Sequence, residues 1–97
     1  MRVKVSLLGI MAEYAGSPQL EMGLGEGATL GHLLAEVGAR LGDRFPSGIW
    51  DPMTGAFAPS VAIFLNGRDG EEHLPLEEGS EVILLPLMAG GLWLGAI

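Results

Sequence analysis

The chain has no cysteine. Disulfides, thiolate metal sites, iron–sulfur clusters and cysteine nucleophiles are thereby excluded, and redox chemistry places no constraint on compartment. Basic residues are almost as scarce. Arg2, Lys4, Arg40, Arg44 and Arg68 are scattered along the chain against 12 acidic residues, for a net charge of −7. Nucleic acid is therefore not an expected partner, because phosphate contacts need clustered Lys and Arg. An acidic surface either meets a basic protein or serves only solubility. Nor is there a long hydrophobic run: the apolar stretch Leu92–Ile97 is far shorter than the ~20 residues a membrane span requires. Met1–Val5 alternates like a strand and lacks the apolar core of a secretion signal, so the expectation is a cytoplasmic protein without membrane contact.

What remains is 97 residues with 48% hydrophobic and 18% charged content, which fits one folded domain with a single modest core. Arg2–Leu8 alternates Arg2, Lys4 and Ser6 against Val3, Val5 and Leu7, a period-two strand with one buried face. Met11–Ala15 reads as a short apolar turn closed by Gly16-Ser17-Pro18, and Gln19–Leu24 as a second strand antiparallel to the first. Thr29–Leu41 is a helix: Leu30, Leu33, Leu34, Val37 and Leu41 fall on a single stripe. Thr29 is its N-cap, His32 stands where a capping box would want Glu or Gln, and Gly42 suits the position just past its end. Gly31 and Gly38 each lower helix propensity by roughly 1 kcal/mol relative to Ala, so the helix depends on packing against a sheet.

Asp43–Pro59, with Pro46, Pro52 and Pro59, reads as irregular loop, with Trp50 and Phe57 packing on each other or covering the core. Val61–Leu65 is apolar on both faces, as a central strand would be. Asn66-Gly67 marks a tight turn, and Leu74-Pro75-Leu76 a brief edge segment. Ser80–Leu85 is the last strand, with Val82 and Leu84 on one side and Ile83 and Leu85 on the other. The order β-β-α-β-β predicts an α+β, ubiquitin-like β-grasp fold: a mixed sheet of four to five strands, the first and last parallel at its centre, with one helix across one face.

After the last strand comes Pro86-Leu87-Met88-Ala89-Gly90-Gly91, then Leu92-Trp93-Leu94-Gly95-Ala96-Ile97. With 16 glycines, chance alone gives about 2.6 Gly-Gly pairs, so the pair has meaning only through its place after a terminal strand. Residues without side chains can lie extended in a channel where any Cβ would collide with the walls. The rest of the chain offers no comparable constellation. His32 lies near the helix start and His73 sits among Glu71 and Glu72 without metal-ligand spacing, so no metal site is expected. Glu77-Glu78 is a solvated turn, Arg68 decorates a hairpin or pairs with a partner carboxylate, and no nucleophile–base set is present. The chain is not expected to be an enzyme.

These segments together resemble the MoaD/ThiS family of ubiquitin-like sulfur carriers, most nearly the small subunit of molybdopterin synthase. The resemblance runs from Met1 to Gly91. Ala12-Glu13-Tyr14-Ala15-Gly16 stands for the family's Arg-Glu-Leu-x-Gly turn, with Ala12 in place of the Arg. Glu26-Gly27-Ala28-Thr29-Leu30 leads into the helix, and Leu65-Asn66-Gly67-Arg68 and Leu76-x-x-Gly79-x-Glu81-Val82 follow in order. Leu85-Pro86-Leu87-Met88-Ala89-Gly90-Gly91 is similar to the family's Phe-Pro-Pro-Val-x-Gly-Gly ending, with Leu87 for the second Pro. The resemblance implies that a partner enzyme adenylates the Gly91 carboxylate with ATP and that a sulfur donor converts it to a thiocarboxylate. The sulfur then passes to the large subunit of a synthase. Gly91 would be the reactive residue and Gly90 its slender approach. Ile83, Leu85, Pro86, Leu87, Met88 and Ala89 would meet partners, and no cofactor would be bound by this chain itself.

The extension 92–97 divides the reading, since Gly91 carries no carboxylate while the chain continues beyond it. Either a peptidase removes the extension, leaving a domain of residues 1–91 that serves as a sulfur carrier or as a ubiquitin-like modifier of other proteins, or the chain has lost that chemistry or is an interaction module that keeps its apolar tail. Met88 and Trp93 would be contacts within the arm, or would fold back over the apolar patch.

Overall fold

The computed structural model describes residues 1–87. Strand β1 (Arg2–Leu7) is followed by a short helix α1 (Ile10–Ala15), strand β2 (Gln19–Gly23) and the long helix α2 (Leu30–Leu41). A 3-10 turn (Gly42–Arg44) leads to two-residue strands β3 (Trp50–Asp51) and β4 (Ala56–Phe57), then to β5 (Val61–Leu65), β6 (Arg68–Asp69) and β7 (Glu81–Pro86). The main sheet has the order β2-β1-β7-β5-β6, and β3 and β4 form a separate hairpin. β1 and β7 are parallel neighbours at the centre, with β2 antiparallel to β1 and β5 antiparallel to β7. This is the expected β-grasp arrangement.

Alternation in the strands decides which side faces the helix. Val3, Val5 and Leu7 of β1, Met22 of β2, Val82 and Leu84 of β7, and Val61 and Leu65 of β5 are buried in one cluster with the stripe of α2. Each fully buried side chain of this kind contributes roughly 1.5–3 kcal/mol relative to exposure. That exceeds what the two helix glycines withdraw, so packing decides the helix.

The start of α2 is held from several directions. His32 N–H donates to Thr29 Oγ1 at 3.3 Å, and Thr29 N–H donates to His32 Nδ1 at 3.0 Å. His32 therefore completes the capping box in the role usual for Glu or Gln, with Nδ1 as the acceptor. The N–H groups of Leu30 and Gly31 donate to the carbonyls of Leu74 and Glu72, each at 2.9 Å. The 72–76 segment thus covers the helix end, and its pairing with the chain before the helix is limited to a Thr29–Pro75 bridge and a Leu76 N–H to Ala28 hydrogen bond.

Three local expectations are corrected. Met11–Ala15 belongs to a helix, not a turn: Met11 and Ala15 are buried, and Gly16, in the left-handed conformation, donates its N–H back to Ala12. Arg44 Nη1 donates to the Ala15 carbonyl at 2.8 Å, so a residue far along the chain closes that helix. Gly42 is not a left-handed terminator; it is right-handed helical and opens the 3-10 turn. A Cβ there would lie 2.6 Å from Trp50 Nε1, and a Cβ on Gly38 would overlap the Trp50 ring. Both glycines form a notch in α2 that seats the indole. The loop after Asp43 consequently contains ordered structure: Trp50 and Phe57 pair across the β3–β4 hairpin with ring centroids 4.8 Å apart, edge to face.

Candidate functional site

The side of the sheet away from α2 is built from the other half of each alternation. β1 presents Arg2, Lys4 and Ser6, β7 presents Glu81, Ile83 and Leu85, and β5 presents Ala62 and Phe64. The register puts Ile83 between Ser6 and Phe64, and Leu85 beside Ala62. Leu8, just past β1, donates its N–H to the Leu84 carbonyl at 3.0 Å and is 41% exposed. Leu87 extends the β7 register by donating its N–H to the Ser60 carbonyl at 2.6 Å, and it is 45% exposed. Ile83, Leu85 and Leu87 therefore form an apolar strip down one face of β7, flanked by Ala62, Phe64 and Leu8. The strip ends at Leu87, which Met88-Ala89-Gly90-Gly91 follow in the sequence. Half-exposed apolar residues gathered in this way mark a surface suited to a partner.

Pro86, expected among the docking residues, is placed elsewhere. It is buried on the helix side, opposite Val61. The hydrogen bond from Leu87 to Ser60 makes positions 87, 85 and 83 the ones that bond to β5. Pro86 N therefore points toward β1, beyond that strand's last hydrogen bond at Leu8, where a missing N–H leaves no carbonyl unpaired. Its role is to end the central strand while still filling the core. Met88, Ala89, Gly90 and Gly91 lie outside the described residues, as does the extension Leu92–Ile97.

Ala62 and Phe64 were not singled out in sequence. The apolarity of Val61–Leu65 on both faces is the pattern of a strand covered on both sides and equally of one that offers a face to a partner. β5 has only the two-residue β6 beyond it, and its outer face stays half open.

The rim of the strip is charged but largely self-paired. Arg2 Nη1 lies 2.6 Å from Glu21 Oε1 and Lys4 Nζ 4.0 Å from Glu81 Oε2, all on exposed side chains. Such pairs are worth at most about 1 kcal/mol and exchange readily with partner charges. Away from this face, His73 Nδ1 lies 3.9 Å from Glu71 Oε1, both exposed. Among the described residues no group of three or more His, Asp or Glu side chains is arranged to hold a metal ion. Also among them, no helix is long and apolar enough to cross a membrane. The chemistry this surface supports is recognition of a partner.

Comparison with known proteins agrees with that geometry. The ThiS family model matches residues 5–91 and stops at the second glycine, leaving 92–97 outside the match. No curated protein sequence matches the chain. Among solved structures, SAMP1 from Haloferax volcanii is 22% identical with a TM-score of 0.80, covering 94% of this chain and all of its own. A putative molybdopterin converting factor subunit 1 from Pyrococcus furiosus is 27% identical with a TM-score of 0.70, over 91% of this chain and 99% of its own. A chain of the BexX/CysO complex of Amycolatopsis orientalis is 21% identical with a TM-score of 0.60, over 92% of this chain and 99% of its own. With the β-grasp sheet and a family match spanning residues 5–91, this chain belongs to the ThiS family of ubiquitin-like sulfur carriers.

Proposed function

We propose that this chain is the precursor of a cytoplasmic sulfur carrier. Removal of residues 92–97 frees the Gly91 carboxylate. A partner enzyme adenylates it with ATP, since a carboxylate is a poor electrophile and AMP supplies a leaving group. A sulfur donor then displaces AMP to leave a thiocarboxylate. The chain contributes no cofactor and no catalytic side chain; it offers a docking face and a slender arm. The family match ending at Gly91, with the strip Ile83–Leu85–Leu87 leading to it, carries this reading. The likeness to a molybdopterin converting factor subunit favours molybdenum or tungsten cofactor synthesis, with the large subunit of that synthase as sulfur acceptor.

A second reading has its own support. Another structural neighbour is a small archaeal modifier protein, which favours transfer of the activated Gly91 to amines of other proteins. Both readings need the same arm. The rival in which the chain is an interaction module that retains its tail is separated from them by two variants assayed for the pathway product. Deleting 92–97 should preserve or speed carrier function and Gly91→Ala should abolish it. The reverse pattern, a damaging deletion with a mild Gly91→Ala, would overturn the carrier reading.

A further inference from the structure

On the helix side of the sheet, a cleft of about 150 Å³ lies between α2 and the β3–β4 hairpin, lined from the core by Leu34 and Ile63. Small residues open it. Gly31 and Ala35, one turn apart on α2, and Gly55 and Ala56 on the hairpin put little bulk into the gap. Trp50 and Phe57 supply aromatic walls, and the seating of Trp50 in the Gly38–Gly42 notch fixes the hairpin beside the helix.

Among the described residues that line the cleft, Glu72 alone is charged. Its carbonyl accepts from the Gly31 N–H at 2.9 Å, and its Oε1 lies 3.4 Å from where a Cβ on Gly31 would stand. The carboxylate is thus laid over the start of α2, where the helix dipole favours a negative charge. No cation of the chain completes it: the ion pairs among the described residues join Arg2 to Glu21, Lys4 to Glu81, Arg40 to Glu36 and His73 to Glu71.

Size and chemistry select an occupant. Small-molecule and cofactor sites run to roughly 300–1,000 Å³, so this cleft is too small for them. An apolar cavity of about 150 Å³ holds one benzene, which has as many heavy atoms as an arginine side chain beyond Cβ. Apolar walls suit the arginine stem, and its planar guanidinium both packs against aromatic rings and pairs with a carboxylate at two points. A lysine ammonium is more strongly hydrated and gives up more on entering. The net charge of −7 favours a basic partner in any case.

We propose that this cleft is an interaction site that receives one arginine side chain from a partner protein, its stem between Ala35 and Ala56 and its guanidinium on Glu72. The cleft lies on the helix side, opposite Ile83 and Leu85, so a partner held there leaves the open face of the sheet free. The site needs no activated Gly91.

The test titrates the isotopically labelled full-length chain with N-acetylarginine N-methylamide and follows the backbone amides by NMR. The citrulline analogue, of the same shape without the charge, is the control. The expected result is a set of saturable shifts centred on Gly31, Ala35, Gly55 and Ala56, with a dissociation constant on the order of millimolar for so small a probe. Affinity falls about fivefold for the citrulline probe and for the chain carrying Glu72→Gln. Ala35→Leu, at an exposed helix position that lines the cleft, abolishes the shifts while the spectrum stays dispersed. Shifts that do not saturate, that centre on other residues, or that persist unchanged in Glu72→Gln would overturn the site. Equal binding of N-acetyllysine N-methylamide would overturn arginine as its occupant.

Discussion

The sharpest stability prediction concerns Gly38, because two physical effects there have opposite signs. By helix propensity, Gly38→Ala in the middle of α2 should stabilise the protein by about 1 kcal/mol. By packing, the new methyl group would overlap the Trp50 ring, which is 9% exposed and wedged between α2 and Phe57. Overpacking of this kind costs about 1–3 kcal/mol if the ring shifts, and loss of a buried aromatic costs about 3–5 kcal/mol if it is expelled. Packing wins. The net expected loss is about 2 kcal/mol, which lowers the melting temperature of a domain this size by about 8–16 °C. Far-ultraviolet circular dichroism in urea, with the slope unchanged, reads the loss directly. Replacing the indole should restore the propensity effect: in a Trp50→Leu background, Gly38→Ala should stabilise by about 1 kcal/mol. A Gly38→Ala chain more stable than its Trp50-containing parent would refute the notch.

The two faces of β7 should respond differently to substitution. Leu84→Ala, at a fully buried position, should lose about 2–5 kcal/mol of stability, whereas Ile83→Asp should lose less than about 1.5 kcal/mol yet abolish capture by the activating enzyme in a pull-down. Unchanged capture by a folded Ile83→Asp chain would remove the open face from the account. Thr29→Ala should cost about 1 kcal/mol in urea denaturation through loss of the capping hydrogen bond to His32, while an exposed serine substitution such as Ser47→Ala should cost less.

Much of this fold was legible in sequence because its signals are local. The stripe Leu30, Leu33, Leu34, Val37 and Leu41 located α2 within a residue, and the alternation in Arg2–Leu7 and Glu81–Pro86 assigned inner and outer faces. Asn66-Gly67 announced its turn through residues that tolerate positive φ, here 52° and 82°. What escaped depends on contacts distant in sequence. α1 is too short to show a period, and Arg44 helps close it. The β3–β4 hairpin is fixed by Trp50 entering the Gly38–Gly42 notch, so the glycines that weaken the helix in isolation are the ones that anchor the hairpin. Phe64 and Ala62 were misread because an apolar strand covered on both faces and one that offers a face to a partner have the same pattern. Pro86 could be assigned to core or arm only once the hydrogen bond of Leu87 set the register. Gly90-Gly91 lies outside the described residues, and the family match ends at its second glycine.

The central claim is that the chain becomes a carrier by losing everything after Gly91. Intact-protein mass spectrometry on the untagged protein isolated from its native host tests it most directly. The account predicts a mass ending at Gly91, with a fraction in which sulfur replaces one oxygen. A mass that retains Ile97 throughout, while the pathway is active, would contradict it.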